Sequence, residues 1–130
     1  MKTYGTAITA LCICFSAISQ DAASLDGTWL AKFPAPSTAF NKGSREAKLV
    51  IANGAGTFQL SFKAREDPCI GREFPITISN VSTEGFDIDV QASKVLAGCQ
   101  NFTWKPKRAE GGGYEGTFPD GRKFVLIRAQ

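Results

Sequence analysis

Few residues of this chain could perform chemistry, and histidine is not among them. The 130 residues contain no His. That removes Ser-His-Asp and Cys-His nucleophilic sites, His metal ligands, and the one side chain that ordinarily titrates near neutrality. Carboxylates are the next candidates. Asp87 and Asp89 lie two apart, so on a strand they share a face and could divide acid and base roles. Phe86, Ile88 and Val90 claim the other, apolar face, which makes the pair the solvated side of a strand. No run has the D-x-[DN]-x-[DN]-G spacing of a calcium loop. Gly111-Gly112-Gly113 lacks the G-K-[ST] ending of a phosphate loop and precedes a strand rather than a helix, so it reads as a hairpin turn. Lys105, Lys107 and Arg108 beside Trp104 have the aromatic-plus-basic character of single-strand nucleic-acid sites. Three cations and one indole at a strand end read instead as a surface patch with snorkelling stems.

The four cysteines divide by position. Cys12 and Cys14 fall in an apolar run from Ala7 to Ala17, which follows a short cationic start at Met1-Lys2. The run is shorter than the roughly 20 residues needed to span a bilayer and suits a signal-peptide core. Ala17-Ile18-Ser19 places cleavage after Ser19, with Ala22 or Ala23 as the fallback. Leu11 and Ile13 precede the two cysteines where a lipoprotein signal needs a small residue, so no lipid or other membrane anchor is expected. The expected division is a signal peptide over 1–19 and one domain over 20–130, exported to the periplasm or the medium. Loss of residues 1–19 removes Lys2 and leaves 14 basic against 12 acidic residues, a net +2. That is too mild to imply a nucleic-acid partner. Cys69 and Cys99 remain, and two cysteines in an exported chain read as one disulfide. With no His and no further Cys they make a poor zinc site, and no metal or cofactor is expected.

The elements that must position these residues are strands. Period-two alternation recurs at 57–63, 74–79 and 86–90, and helical spacing is almost absent. Strands are expected near 27–33, 46–52, 56–63, 73–79, 85–91, 100–105, 113–118 and 122–128. Eight short strands punctuated by turns predict an all-β fold: a small antiparallel barrel, or a sandwich, with one disulfide. Two turns set register. Asn53-Gly54 predicts a two-residue type I′ hairpin that pairs Leu49 with Phe58 and turns Leu49 and Ile51 inward, Val50 outward. Phe118-Pro119-Asp120-Gly121-Arg122 predicts a three-residue loop that sets Gly116 against Phe124 and Tyr114 against Leu126. Pro34 to Arg45 reads as a polar connection. Residues 93–99 read as one helical turn ending at Gly98, clipped by Cys99 to the loop carrying Cys69.

Gly27-Thr28-Trp29 opens the first strand and Arg128 closes the last. This resembles the calycin barrels, lipocalin-like and avidin-like, in which a Gly-x-Trp opens strand one and a basic residue of the last strand lies over that Trp. The resemblance implies a closed barrel with adjacent termini. The plainer alternative keeps Trp29 as an ordinary core residue and Arg128 as a solvated terminus. The lipocalin Thr-Asp-Tyr motif is absent, and the biotin contacts of avidin have no match. The Cys69 and Gly98-Cys99 features and the 118–122 turn also resemble those of small exported bacterial proteins, which implies an envelope location and no activity. Asn80-Val81-Ser82 and Asn101-Phe102-Thr103 fit the N-glycosylation pattern, which in a bacterial chain is chance.

The expected function is a non-enzymatic binding module for a small ligand or a partner protein. Trp29, Phe58, Phe62, Tyr114 and Arg128 are the inward candidates. Phe58, Phe62, Phe74, Phe118 and Phe124 together are expected to fill most of an eight-stranded interior. The alternative is an inhibitor or host-facing protein that works through its braced loops, with Arg65, Glu66, Asp67 and Arg72 exposed. A carboxylate hydrolase ranks last.

Overall fold

The computed structural model describes residues 22–37, 43–62 and 66–129, together with Thr3 and Gly5. The expected signal peptide otherwise lies outside the described residues. Nine strands form one antiparallel sheet curled into a half-barrel: β1 (Gly27–Pro34), β2 (Ser44–Ala52), β3 (Ala55–Leu60), β4 (Glu73–Ser79), β5 (Asp87–Val90), β6 (Phe102–Trp104), β7 (Lys107–Arg108), β8 (Tyr114–Thr117) and β9 (Lys123–Arg128). Two short 3-10 turns, Ala22–Leu25 and Ala92–Lys94, are the helical elements among the described residues. The order across the sheet is β6-β5-β4-β3-β2-β1-β9-β8-β7. Every neighbour is thus a sequence neighbour except β1 and β9, which join the ends of the chain.

Alternation explains the curl. Ala47, Leu49 and Ile51 of β2 are buried on one face, and Val50 between them is 38% exposed. The Asn53-Gly54 turn has positive φ at both residues and pairs Leu49 with Phe58 and Val50 with Thr57, as its type I′ chemistry requires. The 118–122 loop holds the expected register, Gly116 against Phe124 and Tyr114 against Leu126, with the Phe118 N–H donating to the Arg122 carbonyl at 2.8 Å. Gly116 has a packing reason: the Phe124 ring lies where a Cβ would stand. The concave face holds Trp29, Leu49, Phe58, Phe74, Ile88 and Phe124 within one continuous core.

Several boundaries differ from the sequence expectation. β1 runs through Pro34 and β2 starts at Ser44, with Phe33 opposite Arg45, so both ends of the supposed polar connection are paired strand. β3 ends at Leu60, which leaves Phe62 outside the core; its ring sits 4.6 Å under the Arg45 guanidinium. Val125 and Ile127 alternate with the buried Phe124 and Leu126 along β9. They are 42% and 41% exposed on the outer face of an interior strand.

The count is nine rather than eight because of β7. Pro106 has no N–H, so pairing with β5 stops at Trp104 and resumes as the single bridge Gly85↔Lys107, in the same register as Ile88↔Trp104. The Phe86 N–H donates to the Pro106 carbonyl at 3.1 Å, and the Arg108 N–H bonds the Glu84 carbonyl. These contacts join the two ends of the sheet at one rim. At the other rim, among the described residues, β6 and β8 do not pair with each other, in place of the shut ring expected from eight strands.

Cys69 and Cys99 are bonded, with Cα atoms 5.7 Å apart and a sequence separation of 30. The bridge ties the loop before β4 to the turn after Ala92–Lys94, and it points to a non-cytoplasmic, oxidising environment. Among the described residues no helix is long and apolar enough to cross a membrane.

A loop of that length stabilises the fold by about 3–4 kcal/mol in the chain-entropy treatment. Cys69→Ser and Cys99→Ser should therefore lower the melting temperature equally, and the double variant should melt no lower than either. Additive losses in thermal denaturation would contradict this.

Candidate functional site

The five residues nominated from sequence separate into different places. Trp29, Tyr114 and Arg128 come together at the joined rim. Trp29 and Arg128 are register partners across β1 and β9, and the Arg128 guanidinium carbon lies 4.3 Å from the indole centroid. Arg128 also donates to two carbonyls of the entering chain, Nη1 to Asp26 at 2.6 Å and Nη2 to Ser24 at 2.9 Å. The Trp29 Nε1–H donates to the Leu25 carbonyl at 2.8 Å. Gly27 has φ +132°, and a Cβ there would stand 2.7 Å from Arg128 Nη1, so a side chain would displace the guanidinium. Tyr114 packs edge-on against Trp29 and Phe86, with centroids at 5.6 and 4.9 Å. Leu25, 1% exposed, closes this end. The arrangement is a plug. Its aromatic surface is spent on packing.

Phe58 belongs to a second cluster at the opposite rim, the one where the sheet is open. Phe33, at the other end of β1 from Trp29, meets Trp104 and Phe118 edge-on at 5.8 and 5.3 Å. Trp104 contacts Phe58 at 5.2 Å and Phe124 at 4.9 Å, and Phe118 stacks on Phe124 at 5.0 Å. Phe102, 36% exposed, lies 5.5 Å from Phe58 at the edge of the group. Together these rings floor an open cleft of about 710 Å³, which is predominantly apolar.

The rim is charged. Its ionisable side chains are Lys105, Asp120 and Arg122. Arg122 is tethered: Nε donates to Asp120 Oδ2 at 2.7 Å, Nη1 to the Pro34 carbonyl at 2.7 Å, and the guanidinium carbon lies 5.1 Å from the Phe118 centroid. Side-chain and backbone hydrogen bonds from Arg122 hold the Asp120 carboxyl below the usual range. Lys105 Nζ pairs with Asp87 Oδ2 at 3.1 Å.

Asp87 and Asp89 lie on the face opposite Phe86, Ile88 and Val90, and are engaged there. Asp87 accepts from the Asn80 amide at 2.8 Å, and Asp89 accepts from Ser79 and Thr103 hydroxyls at 3.1 and 2.7 Å. The Asn80 hydrogen bond, aided by Lys105, lowers the Asp87 pKa. Each carboxylate stabilises surface pairing and neither enters the cleft. Of the loop residues proposed for protein recognition, Glu66, Asp67 and Arg72 are exposed, while Arg65 lies outside the described residues.

Sequence reasoning missed Phe33, Phe102 and Arg122 as site residues and treated Trp104 as a surface companion of lysines. Trp104 is 8% exposed at the centre of the cluster. The available signal was the alternation Phe102-Thr103-Trp104, which sets both rings on one face. Comparison with family models, with curated proteins and with solved structures finds no match for the chain.

Arg128→Met keeps bulk but loses two charge-assisted hydrogen bonds and the contact with the Trp29 ring. It should destabilise by about 1–3 kcal/mol, read in a urea titration; an unchanged midpoint would contradict the clamp. A lowered carboxylate pKa stabilises the fold above its unfolded value, and that stability is lost as pH falls through the folded value. Asp87→Asn should therefore flatten the loss of stability below about pH 4, measured as melting temperature against pH, relative to the unsubstituted chain.

Proposed function

We propose that this chain is an exported, non-enzymatic binding module that takes an apolar or aromatic group at the open rim of its half-barrel. The observation that carries the reading is the cleft of about 710 Å³ floored by Phe33, Phe58, Phe102, Trp104 and Phe118. Phe102, 36% exposed, and the half-buried Phe118 present apolar surface at the mouth, over the buried Phe33, Phe58 and Trp104, and apolar surface gathered in a cleft marks a binding site. The rim adds two ion pairs, Arg122 with Asp120 and Lys105 with Asp87, so its cations are already partnered there.

The interior beneath is filled. Phe58 and Phe124 are each 1% exposed and Leu126 is fully buried. An occupant therefore sits across the mouth rather than inside, unlike the enclosed ligand that a lipocalin relationship would imply. The Trp29–Arg128 stack supports a calycin-like ancestry for the scaffold, with recognition moved to the rim. The disulfide is consistent with export, since such a bridge persists in oxidising compartments.

An anionic aromatic dye, anilinonaphthalene sulfonate, tests the cleft. Phe102→Asp alters an exposed ring and should weaken dye binding at least fivefold in a fluorescence titration. Ile127→Ser, on the outer face, should leave binding unchanged. Equal dye affinity for Phe102→Asp and the unsubstituted chain would overturn the assignment.

A further inference from the structure

The cleft continues into the open seam between β6 and β8, and the seam offers backbone groups as well as rings. The bond from Phe86 N–H to the Pro106 carbonyl and the register Ile88↔Trp104, Val90↔Phe102 turn the polar groups of 102, 104 and 106 toward β5. Alternation turns those of Thr103, Lys105 and Lys107 to the opposite edge. At Lys107 that edge is occupied by Glu115 of β8. Beyond it the edge continues through Lys105 and Thr103 with no backbone partner among the described residues, and Thr117 on the facing edge of β8 has none across the seam. All three residues are exposed. Pro106 lacks an N–H only on the β5 side, so the outer edge keeps its donors at Thr103 and Lys105.

Charge narrows the occupant. Lys105, Lys107 and Lys123 line a second depression of about 450 Å³ on the seam, with Glu115 as its carboxylate among the described residues; Lys105 is paired with Asp87, and Lys107 and Lys123 supply the remaining positive charge. A lysine-bearing edge opposes pairing with a second copy of itself and attracts acidic side chains.

We propose, resting on the cleft reading above, that the occupant is an extended acidic peptide segment of a partner protein. It pairs as an added strand with the edge of β6 at Thr103 and Lys105. Side chains of an extended chain alternate between faces, so one large apolar residue enters the aromatic cleft while its neighbours lie against the lysines. Main-chain pairing supplies affinity and the cleft supplies selectivity, as in other strand-addition complexes.

The probe is an acetylated nonapeptide alternating phenylalanine and glutamate, titrated into the full chain and followed by amide resonances. The expected result is saturable shifts at the Thr103 and Lys105 amides. Affinity should fall at least tenfold when alternate peptide nitrogens on the pairing edge are methylated, and at least fivefold when lysine replaces glutamate. Equal binding of the methylated peptide would overturn strand addition, and equal binding of the lysine peptide would overturn the acidic preference. Peptide-free, concentration-dependent shifts at the same two amides would overturn the peptide in favour of a second copy. If the dye binds and no peptide does, the peptide proposal falls and the cleft reading stands. If neither binds, both fall.

Discussion

The first and last described strands pair over four residues, and the Arg128–Trp29 stack caps that ladder; the architecture depends on this junction. Among the described residues, the pairing of β1 with β9 joins strands distant in sequence, whereas every other neighbouring pair in the sheet order is consecutive. Long-range pairing carries the largest loop-closure cost of any strand contact in the fold. Arg128 offsets that cost with three attractions at once: the Trp29 face and the carbonyls of Ser24 and Asp26. The entering 3-10 turn is thereby fixed over the end of the core, and Leu25 closes it.

What happens at one rim accounts for the other. Gly85↔Lys107 and the bonds flanking it join the sheet ends near Tyr114, whereas past Lys107 the β6 and β8 edges have no strand between them. The aromatic side chains that an interior would bury are partly left at a mouth. Phe33, Trp104 and Phe118 pack edge-to-face and tilted there, arrangements that add about 0.5–1.5 kcal/mol per pair beyond area burial, and Arg122 covers one side of the cluster. The half-barrel thus combines a filled interior with an open, aromatic mouth.

Much of the fold was legible because it rests on local rules. Asn53-Gly54 set the β2–β3 register through the positive φ that a type I′ turn demands. The turn at 118–122 set β8 on β9 in the same way. Where a residue's fate depended on strand length, the reading failed: Phe62 continued an alternation in sequence, but β3 ends two residues earlier. Trp104 was misjudged because three neighbouring cations suggested a surface, although alternation with Phe102 pointed inward. β7 is two residues long and carries no periodic signal, so nothing in the sequence marked it.

By itself the sequence determined the all-β class, two hairpin registers and the pair of cysteines able to bridge, since each follows from turn chemistry, side-chain alternation or a count. Only the tertiary structure decided which rim closes. That outcome turns on whether backbone donors separated by tens of residues meet, and Pro106 interrupts the pairing with β5 at one point. It also gathered Phe33, Phe58 and Trp104 from three strands, and Phe118 from the loop after β8, into one cleft, because sheet curvature, invisible to any local window, brings their faces together.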